Sequence, residues 1–367
     1  MTRKKVIVAG ASGLVGGAAL TRFTNRDDWE VIAVSRRPPL IPLGNAMHIS
    51  VDLSDRGESA RLFGAIRDVT HVVYAALNER SDDLIAGWSD PSQIAKNESM
   101  LVNLVDPVVE GNPGLQHILL LQGGKAYGVH LPDHDLKMPL QEDAPRHPGE
   151  NFYYRQQDYI ADLQSGASWS WTILRTGGIW GAAVGANMNT FLVVALFAAL
   201  RKEAGLDMPV PAGFSGYMEP TDVDLIAEAI EWAGQALTAR NQIFNITNGD
   251  ILASHDVFEM IARELGMAVG EKRPIDLGQE IGALAHLWPT MVEKYGLRVT
   301  SDLNELLGTS LQIAGVLSRD FAPEEAVRWG VLSTIKIRKA GFHSCMSSEE
   351  SIKNNISKYQ NLNVLPR

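Results

Sequence analysis

VIVAGASGLVG, residues 6–16, is the stretch whose reading decides the fold. The β-branched run Lys5 to Ala9 predicts a strand, and Gly13 to Phe23 predicts the helix behind it. Gly10, Gly13 and Gly16 fall in the turn and first helical turn. Gly10 permits the tight turn, Gly13 removes a side chain that would block a pyrophosphate, and Gly16 lets the helix pack closely on the strand. Backbone N–H groups from Ser12, Gly13, Leu14, Val15 and Gly16 are then placed to meet phosphates at a helix N-terminus. A glycine trio alone is a weak signal. With strand before it and helix after it, the expectation is dinucleotide binding.

The next strand, Trp29 to Val34, runs into AVSRRPP. A cofactor with a free ribose 2′-hydroxyl would meet an Asp or Glu there, whereas Arg36 and Arg37 suit the 2′-phosphate of NADP(H). Asp52 and Leu53, after a third strand at Ala46 to Val51, sit where an adenine edge could be contacted.

Beyond this point strand and helix alternate. A helix is expected at Arg56 to Ile66, a strand at His71 to Ala75, a helix at Asn97 to Val109, and a strand at Leu115 to Leu121. A long loop at Lys125 to Glu150 precedes a helix at Tyr153 to Leu163 and a strand at Trp169 to Leu174. Apolar strands without alternation require a parallel sheet covered on both faces. The fold class is therefore α/β, a Rossmann-type doubly wound parallel sheet with a mainly helical C-terminal lobe. The expected division is a dinucleotide domain over 1–180, with 217–250 returning to it, and a substrate lobe from 181–216 and 251–367. Within that lobe one helix is expected at Gly278 to Tyr295, another at Pro323 to Trp329, and a last one at Ser348 to Gln360.

The 367 residues carry a formal charge of -10, which argues against nonspecific nucleic-acid binding. One cysteine, Cys345, leaves no intrachain disulfide and no thiolate zinc site. The amino terminus has no convincing signal-peptide cleavage region, and the ten apolar residues Phe191 to Leu200 are too few to span a bilayer. A soluble cytoplasmic protein, monomeric or homodimeric, with no membrane partner is the expectation.

Chemistry is expected at the carboxyl ends of the later strands. ILLLQGG is followed by Lys125, Ala126 and Tyr127, and NFYYRQQDYI supplies Tyr153 and Tyr154 at a helix start with Asn151 as cap. A tyrosine beside a lysine can donate a hydrogen bond to a substrate oxygen while hydride arrives at carbon. The Tyr-x-x-x-Lys arrangement of many short-chain reductases is absent, because Gln157 follows Tyr153 at four residues and Asp158 follows Tyr154. Either the positive charge comes from elsewhere, with Lys125 the obvious source, or the activity is lost.

VAGASGLVG, AVSRRPP, LLQGGKAYGVHL, NFYYRQQDYI, ILRTGGIWG and KIRKAGFHSCMSSEES together resemble one family, from residue 6 to about 351. It is the progesterone 5β-reductase and iridoid synthase-like (PRISE) group of atypical, extended short-chain dehydrogenases/reductases, here in a bacterial form. The resemblance implies NADPH-dependent reduction of the C=C bond of enones. It places the family's lysine on Lys125 and its catalytic tyrosine on Tyr153. It also implies that Ile179 lies against the nicotinamide and that Tyr74 to Leu77, Ala75 included, border the dinucleotide. Gly124 stands where a hydroxyl residue is expected, and Thr176 where a proline is common.

A small, apolar, carbonyl-containing substrate is expected. Its pocket is read at Tyr127, Trp180, Met188, Phe191, Phe214 and Trp288, each of which is also a plausible core residue. His130, His134 and His286 have no metal-like spacing, so no metal is expected. An aldehyde or ketone reductase on the same scaffold, or a nonenzymatic NADP-binding regulator, are the competing readings.

Overall fold

The computed structural model describes residues 3–80, 84–131, 134–212, 216–316 and 330–367. Seven strands form one wholly parallel sheet: β1 (Lys4–Ala9), β2 (Trp29–Ser35), β3 (Met47–Ser50), β4 (His71–Tyr74), β5 (His117–Gly123), β6 (Ser170–Thr176) and β7 (Gln242–Ile246). In space their order is β7-β6-β5-β4-β1-β2-β3. The order reverses direction between β1 and β4, and a doubly wound sheet opens its ligand crevice at that point. The sheet exists because its strands are apolar on both faces: β1 from Val6 to Ala9, all of β4 and all of β6 are buried. The core on one face runs from Ile7 and Val34 through Phe63, Leu104 and Val108 to Trp171.

Five helices flank these strands: α1 (Leu14–Thr24), α2 (Arg56–Phe63), α3 (Pro91–Gly111), α4 (Phe152–Gln164) and α5 (Val223–Ala233). Their starts follow from local chemistry. Asp55, Asp90 and Asn151 each accept a backbone N–H of the first turn. Pro91 opens α3 where its missing N–H is harmless, and that helix begins six residues before the expected Asn97.

The chain divides into two units. The first contains the described residues of Met1–Gly177, Val223–Thr247 and Gly330–Ser344; the second those of Gly178–Asp222, Asn248–Trp329 and Cys345–Arg367. Four segments differ from the expected division: residues 178–180 and 248–250, expected with the sheet, belong to the second unit, and two longer segments also move. Residues 217–222, expected to return to the sheet, stay in the second unit, where Pro220–Asp222 pairs with Gly178–Trp180. Residues 330–344, expected in the lobe, pack with the first unit. There Leu332 bridges Leu140, and Asn245 of β7 donates to the Ser333 carbonyl.

The second unit holds the apolar helix Thr190–Glu203, whose residues 191–200 are all buried. It contains more strand than expected, in three two-stranded ribbons. One pairs Met208–Pro211, whose two prolines argue against a strand, with Val269–Arg273. The expected helix from Gly278 to Tyr295 is broken into Leu277–Leu284 and Trp288–Tyr295. Pro289 lacks an N–H and clashes with the carbonyl four residues back, which is enough to interrupt it. A buried polar knot ties the C-terminal helix Ser348–Asn361 into this unit. Ser351 and Asn355 both donate to the Asp222 carboxylate, and Tyr359 donates to the Gly181 carbonyl. The expected helix at Pro323 to Trp329 lies outside the described residues. Among the described residues no helix is long and apolar enough to cross a membrane.

Candidate active site

The glycine turn has the form a dinucleotide needs. Gly10 takes φ +82°, and a Cβ on it would lie 2.6 Å from the Ala75 carbonyl oxygen. A Cβ on Gly16 would lie 2.1 Å from the Gly10 oxygen, so the helix–strand approach excludes any side chain there. At Gly13 an added Cβ meets only that same oxygen, at 3.3 Å. Gly13 is also the cap of α1 and offers no side-chain acceptor to the first-turn N–H groups. An uncapped helix start with open space above it fits a pyrophosphate.

Arg36 and Arg37 are exposed, and the loop carrying them is clipped at its backbone. Ser35 Oγ donates to the Arg37 carbonyl (2.7 Å) and Ser50 Oγ to the Arg36 carbonyl (2.9 Å). These two hydroxyls were not singled out in the sequence. Asp52 is held as a carboxylate: N–H and O–H bonds from Ser54 lower its pKa, with a smaller attraction from Arg36. Leu53 follows on the same turn. Its side chain is buried in the core and its carbonyl accepts from Asn103, because position 53 faces the sheet interior. Ala75 borders Gly10 as stated, while Ile179 is half-buried on the strand Gly178–Trp180 of the second unit.

The structure brings Lys125 and Tyr153 together. Lys125 lies in the 3₁₀ turn Gly124–Tyr127 that continues β5, and Tyr153 in the first turn of α4. Asn151 links the two elements: its Oδ1 accepts the Tyr153 N–H (2.9 Å) and its Nδ2 donates to the Lys125 carbonyl (2.8 Å). Lys125 Nζ is 5.9 Å from the Tyr153 ring centre, 5.4 Å from Phe152 and 4.5 Å from Trp88. Burial pushes the Tyr153 phenol far above its ordinary pKa, and Glu79 adds to that, against a weaker pull from Arg175. The phenol is thus a hydrogen-bond donor at every physiological pH.

Tyr154, one residue on, does something else. Its hydroxyl donates to the Ala126 carbonyl (2.7 Å) and accepts the His147 N–H (3.1 Å), clamping the loop to α4. Gln157, where a Tyr-x-x-x-Lys lysine would stand, accepts from Arg175, which also donates to Gln122; Gln122 in turn donates to the Tyr153 carbonyl.

One functional-site residue was missed in the sequence. Glu79, in the loop after β4, reaches Lys125 Nζ at 3.1 Å, and its side chain is only 1% exposed. No motif marks a lone glutamate in a loop, so nothing in the chain order pointed to it.

Four of the six residues read as a substrate pocket have enclosed side chains. Trp180 and Phe191 pack with tilted rings 5.6 Å apart in the second unit's interior, and Trp288 is fully buried with its indole N–H on the Thr300 carbonyl. Tyr127 is buried with Leu140 and Leu332, its hydroxyl on Asn245 (2.6 Å). An enclosed aromatic ring contributes packing, and the Tyr127 and Trp288 polar atoms are satisfied as well. Met188 is half-buried at φ 55°, and Phe214 lies outside the described residues. Among the described residues no cluster of three or more His, Cys, Asp or Glu could hold a metal. His130 packs edge-to-face with both Trp88 and His147, and His134 packs edge-to-face with His147. His286 bonds the Ala283 carbonyl.

Comparison with known proteins identifies the family and the fold. Residues 53–237 match the family model described as the PRISE-like Rossmann-fold domain. An (S)-8-oxocitronellyl enol synthase from Nepeta racemosa is 30% identical over 312 residues, covering 80% of this chain and 78% of its own. A 3-oxo-Delta(4,5)-steroid 5-beta-reductase from Arabidopsis thaliana is 28% identical, covering 98% and 92%. Among solved structures, the Bordetella bronchiseptica enzyme WbmG in complex with NAD and UDP aligns with a TM-score of 0.67 at 16% identity, covering 100% of this chain and 97% of that one. A UDP-glucose 4-epimerase from Thermotoga maritima aligns at 0.65, also at 16% identity, covering 97% and 99%; both show the shared fold. The chain belongs to the PRISE-like Rossmann-fold family and is an oxidoreductase of the short-chain dehydrogenase/reductase class.

Proposed function

We propose that the protein is an NADPH-dependent reductase of the activated C=C bond of enones. The observation that carries the reading is the enclosure of the Lys125 ammonium and the protonated Tyr153 phenol in one aromatic-lined site at the carboxyl end of β5. The names of the relatives support it, since one is named for reduction of a 3-oxo-Delta(4,5)-steroid and another as an oxocitronellyl enol synthase. Dinucleotide binding is assigned to the first unit, with Gly10, Ser12, Gly13, Leu14, Val15 and Gly16 at the pyrophosphate and Arg36 and Arg37 at the 2′-phosphate. Substrate recognition is assigned to the second unit.

A nicotinamide held by the first unit would supply the hydride that reduces the substrate's β-carbon. Tyr153 donates its O–H to the carbonyl oxygen, where negative charge gathers as the enolate forms. Lys125 adds positive potential behind that oxygen. Neither side chain has to give up its proton, because the high phenol pKa favours a hydrogen bond over transfer; the α-carbon takes its proton from water. The rings of Trp88 and Phe152 beside Lys125 keep that potential from being screened.

Product identification tests the reading. With NADPH and 2-cyclohexenone, the expected product is cyclohexanone. Allylic alcohol would instead make the protein a carbonyl reductase on the same scaffold. Absence of turnover across enones, enals and saturated aldehydes would leave a cofactor-binding regulator.

A further inference from the structure

We propose that Glu79 is the positioning residue of Lys125, holding its ammonium charged and aimed beside Tyr153. The inference rests on Lys125 being the cationic partner of Tyr153, as described above, and adds the group that governs it. Glu79 is held in place by the preceding residue. The Asn78 N–H donates to Asn97 Oδ1 (2.8 Å), and the Asn78 carbonyl accepts from Asn97 Nδ2 (2.9 Å) and from Gln93. Both partners lie on α3, so a rigid helix fixes the loop and points the carboxylate at Lys125 Nζ.

The pairing is poorly explained as a stabilising feature. Both side chains are buried, at 10% and 1% exposure, and Glu79 Oε2 is buried without a hydrogen-bond partner. A buried ion pair with one oxygen unsatisfied generally contributes little net stability, because desolvation offsets the attraction. Its effect on the lysine is more definite. Around Nζ stand three aromatic rings, which attract a cation but do not replace water.

Among the described residues the titratable groups facing Lys125 are few. Glu79 comes from the loop after β4, Tyr153 from α4, and His130 from the loop that follows the lysine. His130 is pushed down to about 4, by burial first and then by His147, Lys125 and His134, so it stays neutral near pH 7. Arg175 acts on Tyr153 from β6. Burial lowers the Lys125 pKa and Glu79 raises it again, through charge and hydrogen bond. Glu79 is therefore what opposes the desolvation.

The sign follows directly. Replacing the carboxylate by an amide removes the effect that favours the charged lysine, so Lys125 releases its proton at lower pH. Glu79→Gln should move the alkaline limb of kcat to lower pH by about 1–2 units. Turnover should then approach wild type on the acid side of that limb. Glu79→Asp, which keeps the charge, should shift the limb less and in the same direction. A merely structural role would lower turnover by the same factor at all pH values.

A second measurement is independent of activity. With lysines labelled at 13Cε, and the Lys125 signal assigned by its loss in Lys125→Ala, the Lys125 titration should move to lower pH in Glu79→Gln. An unchanged titration, or a pH-independent loss of turnover, overturns the proposal. A shifted titration in a protein that reduces no enone upholds Glu79 as the partner of Lys125 and refutes the enone reading instead.

Discussion

Gly16 packs on Gly10 so closely that a Cβ at position 16 would stand 2.1 Å from the Gly10 carbonyl oxygen. That oxygen belongs to the backbone and cannot swing away. Gly16→Ala is therefore expected to lose about 1–3 kcal/mol of stability, the range for overpacking, and to weaken dinucleotide binding. Thermal unfolding and cofactor titration check this. A variant with wild-type melting and affinity would mean that α1 can back away from the strand.

The two adjacent tyrosines should separate cleanly on substitution. Tyr153→Phe removes the donor beside Lys125 and should cut turnover by roughly 10²-fold or more with little change in melting temperature. Tyr154→Phe leaves the Ala126 carbonyl and the His147 N–H unpaired, and should lose about 1–3 kcal/mol while keeping turnover within roughly one order of magnitude. Steady-state rates and melting curves on both variants decide the assignment, and the reverse pattern would move the catalytic role to Tyr154.

Arg36 lies on a loop whose carbonyls are pinned by Ser35 and Ser50, so its side chain projects from a fixed point. Losing a charged hydrogen bond to a 2′-phosphate corresponds to about 10- to 100-fold in affinity. Arg36→Ala should weaken NADPH by that factor and leave NADH nearly unchanged. Equal weakening of both would remove Arg36 from phosphate recognition.

At the opposite end of the sheet, His71 and His117 are buried with ring centres 6.5 Å apart. Burial depresses His71 to about 4, and burial together with His71 and Arg240 depresses His117 to about 3. Both folded pKa values lie below the unfolded value near 6.5, so the unfolded chain binds more protons in acid. The stability these neutral rings contribute is full above pH 6.5 and is lost progressively as pH falls toward 4. Between pH 7 and pH 5 the loss should be on the order of 1–2 kcal/mol per histidine, read as a falling urea midpoint. A His71→Asn, His117→Asn double variant should show a flatter acid dependence, and an equally steep one would assign the acid sensitivity to other groups.

The central sheet was legible along the chain because its strands are apolar runs separated by helices of ordinary length. The expected run Trp29 to Val34 differs from β2 by one residue, and His71 to Ala75 from β4 by one. The second unit was less so. Its ribbons are two to five residues long, one carries two prolines, and pairs that short have no periodicity to read. The role of the aromatics was not legible for a related reason: a tryptophan such as Trp288 looks the same in sequence whether it lines a cavity or fills the core.

What the sequence by itself determined is the chemistry that depends on local order. The glycine turn, the arginine pair after β2, and the presence of a lysine at a loop start and a tyrosine at a helix start are all readable from neighbours in the chain. Only the tertiary structure decided which groups meet. Glu79 and Lys125 are separated by 46 residues and joined because β4 and β5 are adjacent strands whose carboxyl ends open side by side. A parallel sheet collects distant loop residues at one edge, and no local pattern along the chain encodes that edge.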